Sequence, residues 1–275
     1  MLNSLSTAVS GLQQFQQRID LIGNNIANVN TVAYKNVRAT SADSFSNSLQ
    51  NALGGGIQIG TGVATSDVSE NFKEGSRMAT FRGTDLAVVG NGFFVVRDPN
   101  SSATFATRDG TFDFDPAGYL VTAGGYRVQG FTDAAGTQRG DLRRDLAGAP
   151  AGTPADAKIT AAKFDSDGKL QLTLDTGASF TRGQVLLQDF AAPNSLLKYG
   201  QNLYANLDGA GPLAQPSAPN TGGLGKIEVG SLEMSNVDLA GEFSDLITAQ
   251  RAFQANSRII STSDEVLQDL INLKR

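Results

Sequence analysis

The stretch LSTAVSGLQQFQQRIDLIGNNIANV, residues 5–29, decides the fold. Its apolar residues fall at Leu5, Ala8, Leu12, Phe15, Ile19, Ile22, Ile26 and Val29, a spacing that alternates three and four without a break. Such a stripe predicts one long helix with an a/d seam. The helix is expected from about Asn3 to Asn28, capped by Asn3 or Ser4. At about 1.5 Å per residue it would be about 40 Å long. Its polar face carries Gln13, Gln14, Gln16 and Gln17. These amides either bond to neighbouring subunits without charge repulsion or simply face water. Asn24, Asn25, Asn28 and Asn30 crowd the exit with turn-forming amides.

The other end of the chain repeats the theme. Leu239, Leu246, Phe253, Ile260 and Leu267 recur every seven residues. A second long helix is expected to start between Asn236 and Leu239, with Asn236 or Asp238 as cap. Glu242 in its first turn, and Lys274 and Arg275 at its end, would suit the helix dipole. One intramolecular pair would leave broad sides of both helices uncovered, which points to packing between subunits.

The middle reads differently. Most of the 31 glycines lie between Gly54 and Gly230, which favours turns and short strands. Residues 31–80 read as an extended arm with a joint at Gly54, Gly55 and Gly56 and a strand-like Ile57-Gln58-Ile59. No Gly-Lys-Ser/Thr follows the glycines, so they form no phosphate loop. From Phe81 onward strand and turn signals alternate: Leu86 to Val89, the Gly90-Asn91-Gly92 turn, Phe93 to Val96, and an Asp167-Gly168 hairpin signal before Leu170 to Leu174. Residues 132–157 interrupt this pattern as a surface excursion.

The expected fold is α+β: long N- and C-terminal helices forming a coiled-coil domain, and a central all-β sandwich or barrel-like domain joined by extended Gly-rich arms. The expected boundaries are 1–34 for the first helix, 35–80 for the arm, 81–208 for the β domain, 209–235 for the return linker and 236–275 for the last helix.

Composition narrows the function. A net charge of −5 and a pI near 4.8 disfavour nucleic-acid binding, which needs a basic face. No apolar run approaches the roughly 20 residues of a membrane span. The first residues lack the basic and apolar regions of a secretory signal. The 275 residues include no Cys and no His. That excludes disulfides, thiolate catalysis and Cys-based zinc sites, and removes the usual general base. Absence of thiols also suits a chain exported unfolded. Asp113, Asp115 and Gly118, like Asp165, Asp167 and Gly168, lack the distal Glu of a calcium loop and read as β-turns. No catalytic, cofactor or metal residues are expected, and the chain is not expected to be an enzyme. A soluble enzyme or carbohydrate-binding β domain with helical appendages would need a concave polar site that no motif here provides.

The residues also carry a family resemblance. Ser10-Gly11-Leu12, followed by Ile22 to Thr31, resembles the N-terminal signature of bacterial flagellar rod and hook proteins. Gly230 to Leu239, and then Ala249-Gln250-Arg251-Ala252-Phe253-Gln254-Ala255-Asn256-Ser257, resemble its C-terminal signature. Asp85 to Val88, Gly90 to Phe94, Thr107 to Phe112 and Gly200 to Tyr204 fit in the expected order. The tail from Ser261 to Gln268 and from Asn272 to Arg275 most resembles the hook protein, in a short form. The length resembles the distal rod protein, which is the alternative.

The resemblance implies a self-assembling structural subunit, exported through the flagellar type III apparatus and polymerised under a cap. It implies terminal helices in an inner coiled-coil tube, a β domain outside, and neighbouring rod or hook–filament junction proteins as partners. A hook would serve as a flexible joint passing torque from rod to filament; a distal rod would be a stiff drive shaft. The expected assembly seam is Leu5, Leu12, Phe15, Ile19, Ile22, Ile26, Leu239, Leu246, Phe253, Ile260 and Leu267. Asn24, Asn25, Asn28, Gln250, Arg251 and Asn256 carry the family motif.

Overall fold

A computed structural model describes residues 2–44, 46–50, 56–150 and 157–273. Gly54 and Gly55 of the expected joint, residues 151–156 of the excursion, and Lys274 and Arg275 lie outside the described residues. The chain divides into two compact units: Met1–Val29, Lys35–Asn71 and Val237–Arg275 in one, Asn30–Tyr34 and Phe72–Asn236 in the other.

The first unit holds both helices, α1 (Leu2–Ala27) and α2 (Leu239–Leu273). The polar residues at their ends set where each one stops or starts. Asn28 Nδ2 donates to the carbonyl and side-chain oxygens of Asn24, closing α1 in place of another turn. Asp238 caps α2: its Oδ1 accepts the Ala240 N–H at 3.1 Å, and its carbonyl accepts the Glu242 N–H at 2.9 Å. The helices run antiparallel, since Asn25 meets Glu242 and Arg18 meets Asp245.

Strands share this unit. Val37–Asp43 pairs antiparallel with Val63–Glu70, with a register shift between Thr40 and Ser41. Ser46–Gln50 pairs antiparallel with Gly56–Gly60, a strand that contains Ile57-Gln58-Ile59. The longer ribbon packs on α1. Gln14 Nε2 donates to Ser41 Oγ at 2.7 Å, and the Thr65 hydroxyl reaches the side-chain oxygens of Gln14 and Gln17. Part of the glutamine face therefore serves the chain's own ribbon.

The expected fold class is corrected here. Most regular elements among the described residues are strands, with two α-helices and one short 3-10 turn against twenty strands. The helices do not form a coiled-coil domain. Gln14, Asn25 and Glu242 are buried, whereas the a/d residues other than Ala8 and Ile22 keep part of their surface in water. Buried amides and a carboxyl need hydrogen-bond partners, and these come from the ribbon and the loop before it rather than from a dry seam. The first expected arm, residues 35–80, is likewise largely paired strands among the described residues.

The second unit is antiparallel throughout. Its main sheet runs in the order Ile159–Phe164, Lys169–Leu174, Ser179–Val185, Arg127–Phe131, Phe93–Arg97, Thr104–Thr107, Leu203–Ala205, Leu197–Gly200. The path has two ends and does not close into a barrel among the described residues. Asp167-Gly168 makes the expected hairpin, with Gly168 at φ +73°. Leu86–Val89 pairs with the distant Lys226–Val229, and Arg77–Ala79 with Ser231–Glu233. These pairings take up the last part of the expected return linker, Lys226–Val229 and Ser231–Glu233.

Phe93 and Phe94 explain why their strand reads as a continuous apolar run. Phe94 faces a core of Leu86, Val96, Phe112, Leu120 and Val128; Phe93 faces the opposite cluster with Phe190 and Tyr204. Successive side chains leave a strand on opposite faces, so a strand buried on both must be apolar throughout. Gly110 is required where it stands, because a Cβ there would lie 1.6 Å from the Leu86 carbonyl oxygen. Arg108 and Glu233 form an almost fully buried ion pair at 3.4 Å. Arg108 also donates to the Gly90 carbonyl, and Glu233 accepts the Gly75 N–H. Asp115 and Asp165 serve turns, Asp115 Oδ1 accepting the Tyr119 N–H and Asp165 N–H donating to the Lys169 carbonyl.

Candidate assembly surface

Within the first unit, one asparagine joins three elements. Asn25 Oδ1 accepts the Val37 N–H at 3.0 Å, and its Nδ2 donates to the Val37 carbonyl at 2.9 Å. The side-chain amide thus pairs with a backbone peptide as another strand would. The same Nδ2 reaches Glu242 Oε1 of α2 at 3.2 Å, and Asn36 Nδ2 donates to that oxygen at 2.8 Å. Burial pushes the Glu242 carboxyl above the usual carboxylate range; the Asn25 and Asn36 hydrogen bonds oppose this, and the charges of Asp245 and Asp238 add to it.

Further along the pair, Gly11 faces Asn256. A Cβ on Gly11 would stand 2.9 Å from Asn256 Nδ2, so the missing side chain lets α2 approach there. Ser10 Oγ donates to the Thr7 carbonyl and accepts the Val63 N–H, tying α1 to the ribbon. Asn24, Asn25, Asn28 and Asn256 therefore have structural positions, whereas Gln250 and Arg251 are exposed.

The expected seam is only partly closed by the chain itself. On α1, Ile22 is buried at 5% exposure, and Leu5, Leu12, Phe15, Ile19 and Ile26 are half-buried. On α2, Leu246, Phe253, Ile260 and Leu267 are half-buried and Leu239 is exposed. A crevice of 480 Å³ opens beside Gly11, Phe15 and Asn256. A shallow groove lies along Leu12, Gln16 and Phe253. A second set was missed by the sequence reading: Phe243, Ile247, Ile259, Val266, Ile271 and Leu273 are all exposed on α2. Ile259, Val266 and Leu273 repeat every seven residues, one position ahead of the stripe already read, so the signal was present.

No helix of the described residues is long and apolar enough to cross a membrane, and none of those residues gather into a group of three or more metal-ligating side chains.

Three family descriptions match the chain in order. "Flagella basal body rod protein" covers residues 5–35, "Flagellar hook protein FlgE/F/G D1 domain" covers 87–176, and "Flagellar basal body rod FlgEFG protein C-terminal" covers 228–273. The class is that of a structural protein of the bacterial flagellum. The relatives agree: the flagellar basal-body rod protein FlgG of Bacillus subtilis is 38% identical over 283 residues, covering 100% of both chains. FlgG of Caulobacter vibrioides is 32% identical, covering 99% of this chain and 100% of its own. The flagellar hook protein FlgE of Borreliella burgdorferi is 26% identical over 446 residues, covering 100% of both. The chain belongs to the flagellar rod and hook protein family.

Proposed function

We propose that this chain is a distal-rod subunit that polymerises into the drive shaft of the flagellar basal body. The observation that carries this reading is the end-to-end alignment with basal-body rod proteins. It needs 283 positions for a chain of 275 residues, whereas the hook protein needs 446. The hook reading, suggested by the tail from Ser261 onward, gives way to the alternative. Rod relatives that align end to end with few gap positions outweigh resemblance in one terminal segment.

The half-covered apolar residues of α1 and α2 support polymerisation. Covering what each such side chain still exposes is worth part of the roughly 1.5–3 kcal/mol that full burial from water brings, and several of them recur on every subunit. We assign Leu5, Leu12, Phe15, Ile19, Ile26, Leu239, Leu246, Phe253, Ile260 and Leu267 to contacts with neighbouring copies, with Ile22 supporting them from within. Export through the type III apparatus, and contact with a cap and adjoining axial proteins, belong to the same proposal. A functional tagged copy should label the straight shaft of isolated basal bodies. Label in the curved segment beyond the shaft would return the assignment to the hook.

A further inference from the structure

A cavity of 290 Å³ in the second unit joins two segments that carry the family resemblance and that the helix surfaces leave unused. Thr107 and Asp109 come from one, Gln201 and Asn202 from the other, and Thr122 and Gly124 help close the wall. The lining is held in place by its own bonds. Asn202 Nδ2 donates to the Val32 carbonyl at 2.6 Å, and the Thr107 hydroxyl donates to the Asn202 carbonyl at 2.8 Å. Gln201 and Asn202 both stand in the left-handed region, at φ +52° and +56°. Two successive non-glycine residues there hold strain of the kind that collects at ligand clamps. A Cβ on Gly124 would collide with Gln201 Oε1, so the glycine makes room for that amide.

The charge around this cavity is unbalanced. Asp109 Oδ1 accepts the Thr111 N–H at 2.9 Å, and Thr107 Oγ1 accepts the Asp109 N–H at 3.0 Å. Asp85 lies close enough for its charge to act on Asp109. Asp85 is 2% exposed, and its Oδ1 has no hydrogen-bond partner. Neither carboxyl forms an ion pair among the described residues. Burial raises the proton affinity of Asp109; hydrogen bonds at Thr111 oppose this, and the charge of Asp85 adds to it. Two neighbouring acids therefore lack a cation, and one of them borders open space. A perturbed carboxyl among converging polar groups in a cavity is the pattern of a binding site. We propose that this cavity receives the head of an organic cation, an alkylammonium or a guanidinium. The donors of such a head match the acceptors present, which are the Asp109 carboxylate, Gln201 Oε1 and the Thr107 hydroxyl oxygen. The volume suits a polyatomic head rather than a bare ion. The head belongs either to a free amine or to a lysine or arginine of an adjoining copy. The site itself stands on the monomer and not on the rod reading.

Methylguanidinium chloride is titrated into the full-length monomer, with backbone amide shifts read by NMR and methylurea as the neutral control. Methylguanidinium should give saturable shifts at Thr111, Gln201 and Asn202, and methylurea none. Asp109→Asn keeps an acceptor for the Thr111 N–H and removes the charge, so it should weaken binding about tenfold or more. In the parent, binding should also weaken as pH falls and the Asp109 carboxylate takes up a proton, a readout that needs no variant. The proposal is overturned by the absence of saturable shifts, by equal shifts with methylurea, by unchanged binding in a folded Asp109→Asn chain, or by parent binding that does not respond to pH. Assembled chains separate the two sources. Uptake by sedimented polymer equal to that by monomer assigns the head to a free amine. Loss of uptake on assembly assigns it to a lysine or arginine of the adjoining copy.

Discussion

Asn25 and Glu242 stand 217 residues apart in sequence and share a buried hydrogen bond of 3.2 Å from Nδ2 to Oε1. Asn25 also pairs with both backbone groups of Val37, so one amide ties α1, α2 and the ribbon together. Asn25→Ala should cost about 2–4 kcal/mol, because two backbone groups and a carboxyl lose partners in a dry site. Urea denaturation of the full chain measures it. A loss of only a few tenths would mean that water replaces the amide.

The raised proton affinity of Glu242 sets a sign for pH. Its carboxyl is held above its unfolded value mainly by burial. Its contribution is therefore most favourable below the unfolded value of about 4.3, and is lost as pH rises through the window up to the raised folded value. Glu242→Gln keeps an acceptor for Asn25 and Asn36 and removes the charge. The variant should match the parent at acid pH and exceed it in stability near neutrality. Parallel stability curves for the two proteins across that window would contradict this.

Asp141 behaves oppositely. Burial raises its proton affinity, but hydrogen bonds from Gln129, Arg97 and Arg127 outweigh that and leave the carboxyl below its ordinary value. Its stabilisation is present above the unfolded value of about 3.9 and is lost as pH falls through the lowered folded value. Asp141→Asn should therefore destabilise the chain at neutral pH and narrow its difference from the parent toward acid, as read by thermal melts. A difference that widens toward acid would refute this.

Arg108→Ala should cost about 3–5 kcal/mol, since it leaves the Glu233 carboxylate buried without its cation. Arg108→Ala combined with Glu233→Gln should recover part of the loss. If the double variant is no better than the single one in denaturant titration, packing of the guanidinium against Phe93 rather than charge carries the effect.

Both helices and the strand-rich middle were legible, because periodicity is local; the Asp238 cap of α2 stands where expected, whereas Asn3 and Ser4, expected to cap α1, lie inside Leu2–Ala27. The predicted helix over residues 3–28 and the observed Leu2–Ala27 differ by a residue at each end. The Leu86–Val89 and Phe93–Arg97 strands were legible too, but not their partners. The Gly90-Asn91-Gly92 turn invites a hairpin, yet Leu86–Val89 takes Lys226–Val229 instead. The ribbon of Val37–Asp43 and Val63–Glu70 gives no local strand signal, because its residues are mostly polar and lack apolar alternation. Its order comes from Asn25, Gln14 and Thr65, which are tertiary bonds no local pattern encodes. The a/d stripe was correctly periodic, but periodicity does not say what covers a face, and much of this one is left uncovered.

The most direct test compares Phe253→Asp with Phe164→Asp in the purified full-length chain, using circular dichroism for folding and electron microscopy for polymer. Phe253 is half-buried on α2, so its substitution should leave the monomer folded and abolish tubes, because a carboxylate would enter every contact between copies. Phe164, 7% exposed in the β core, should instead lose about 3–5 kcal/mol of monomer stability. Tubes of ordinary length built from Phe253→Asp chains would contradict the claim that the uncovered faces of the terminal helices join one subunit to the next.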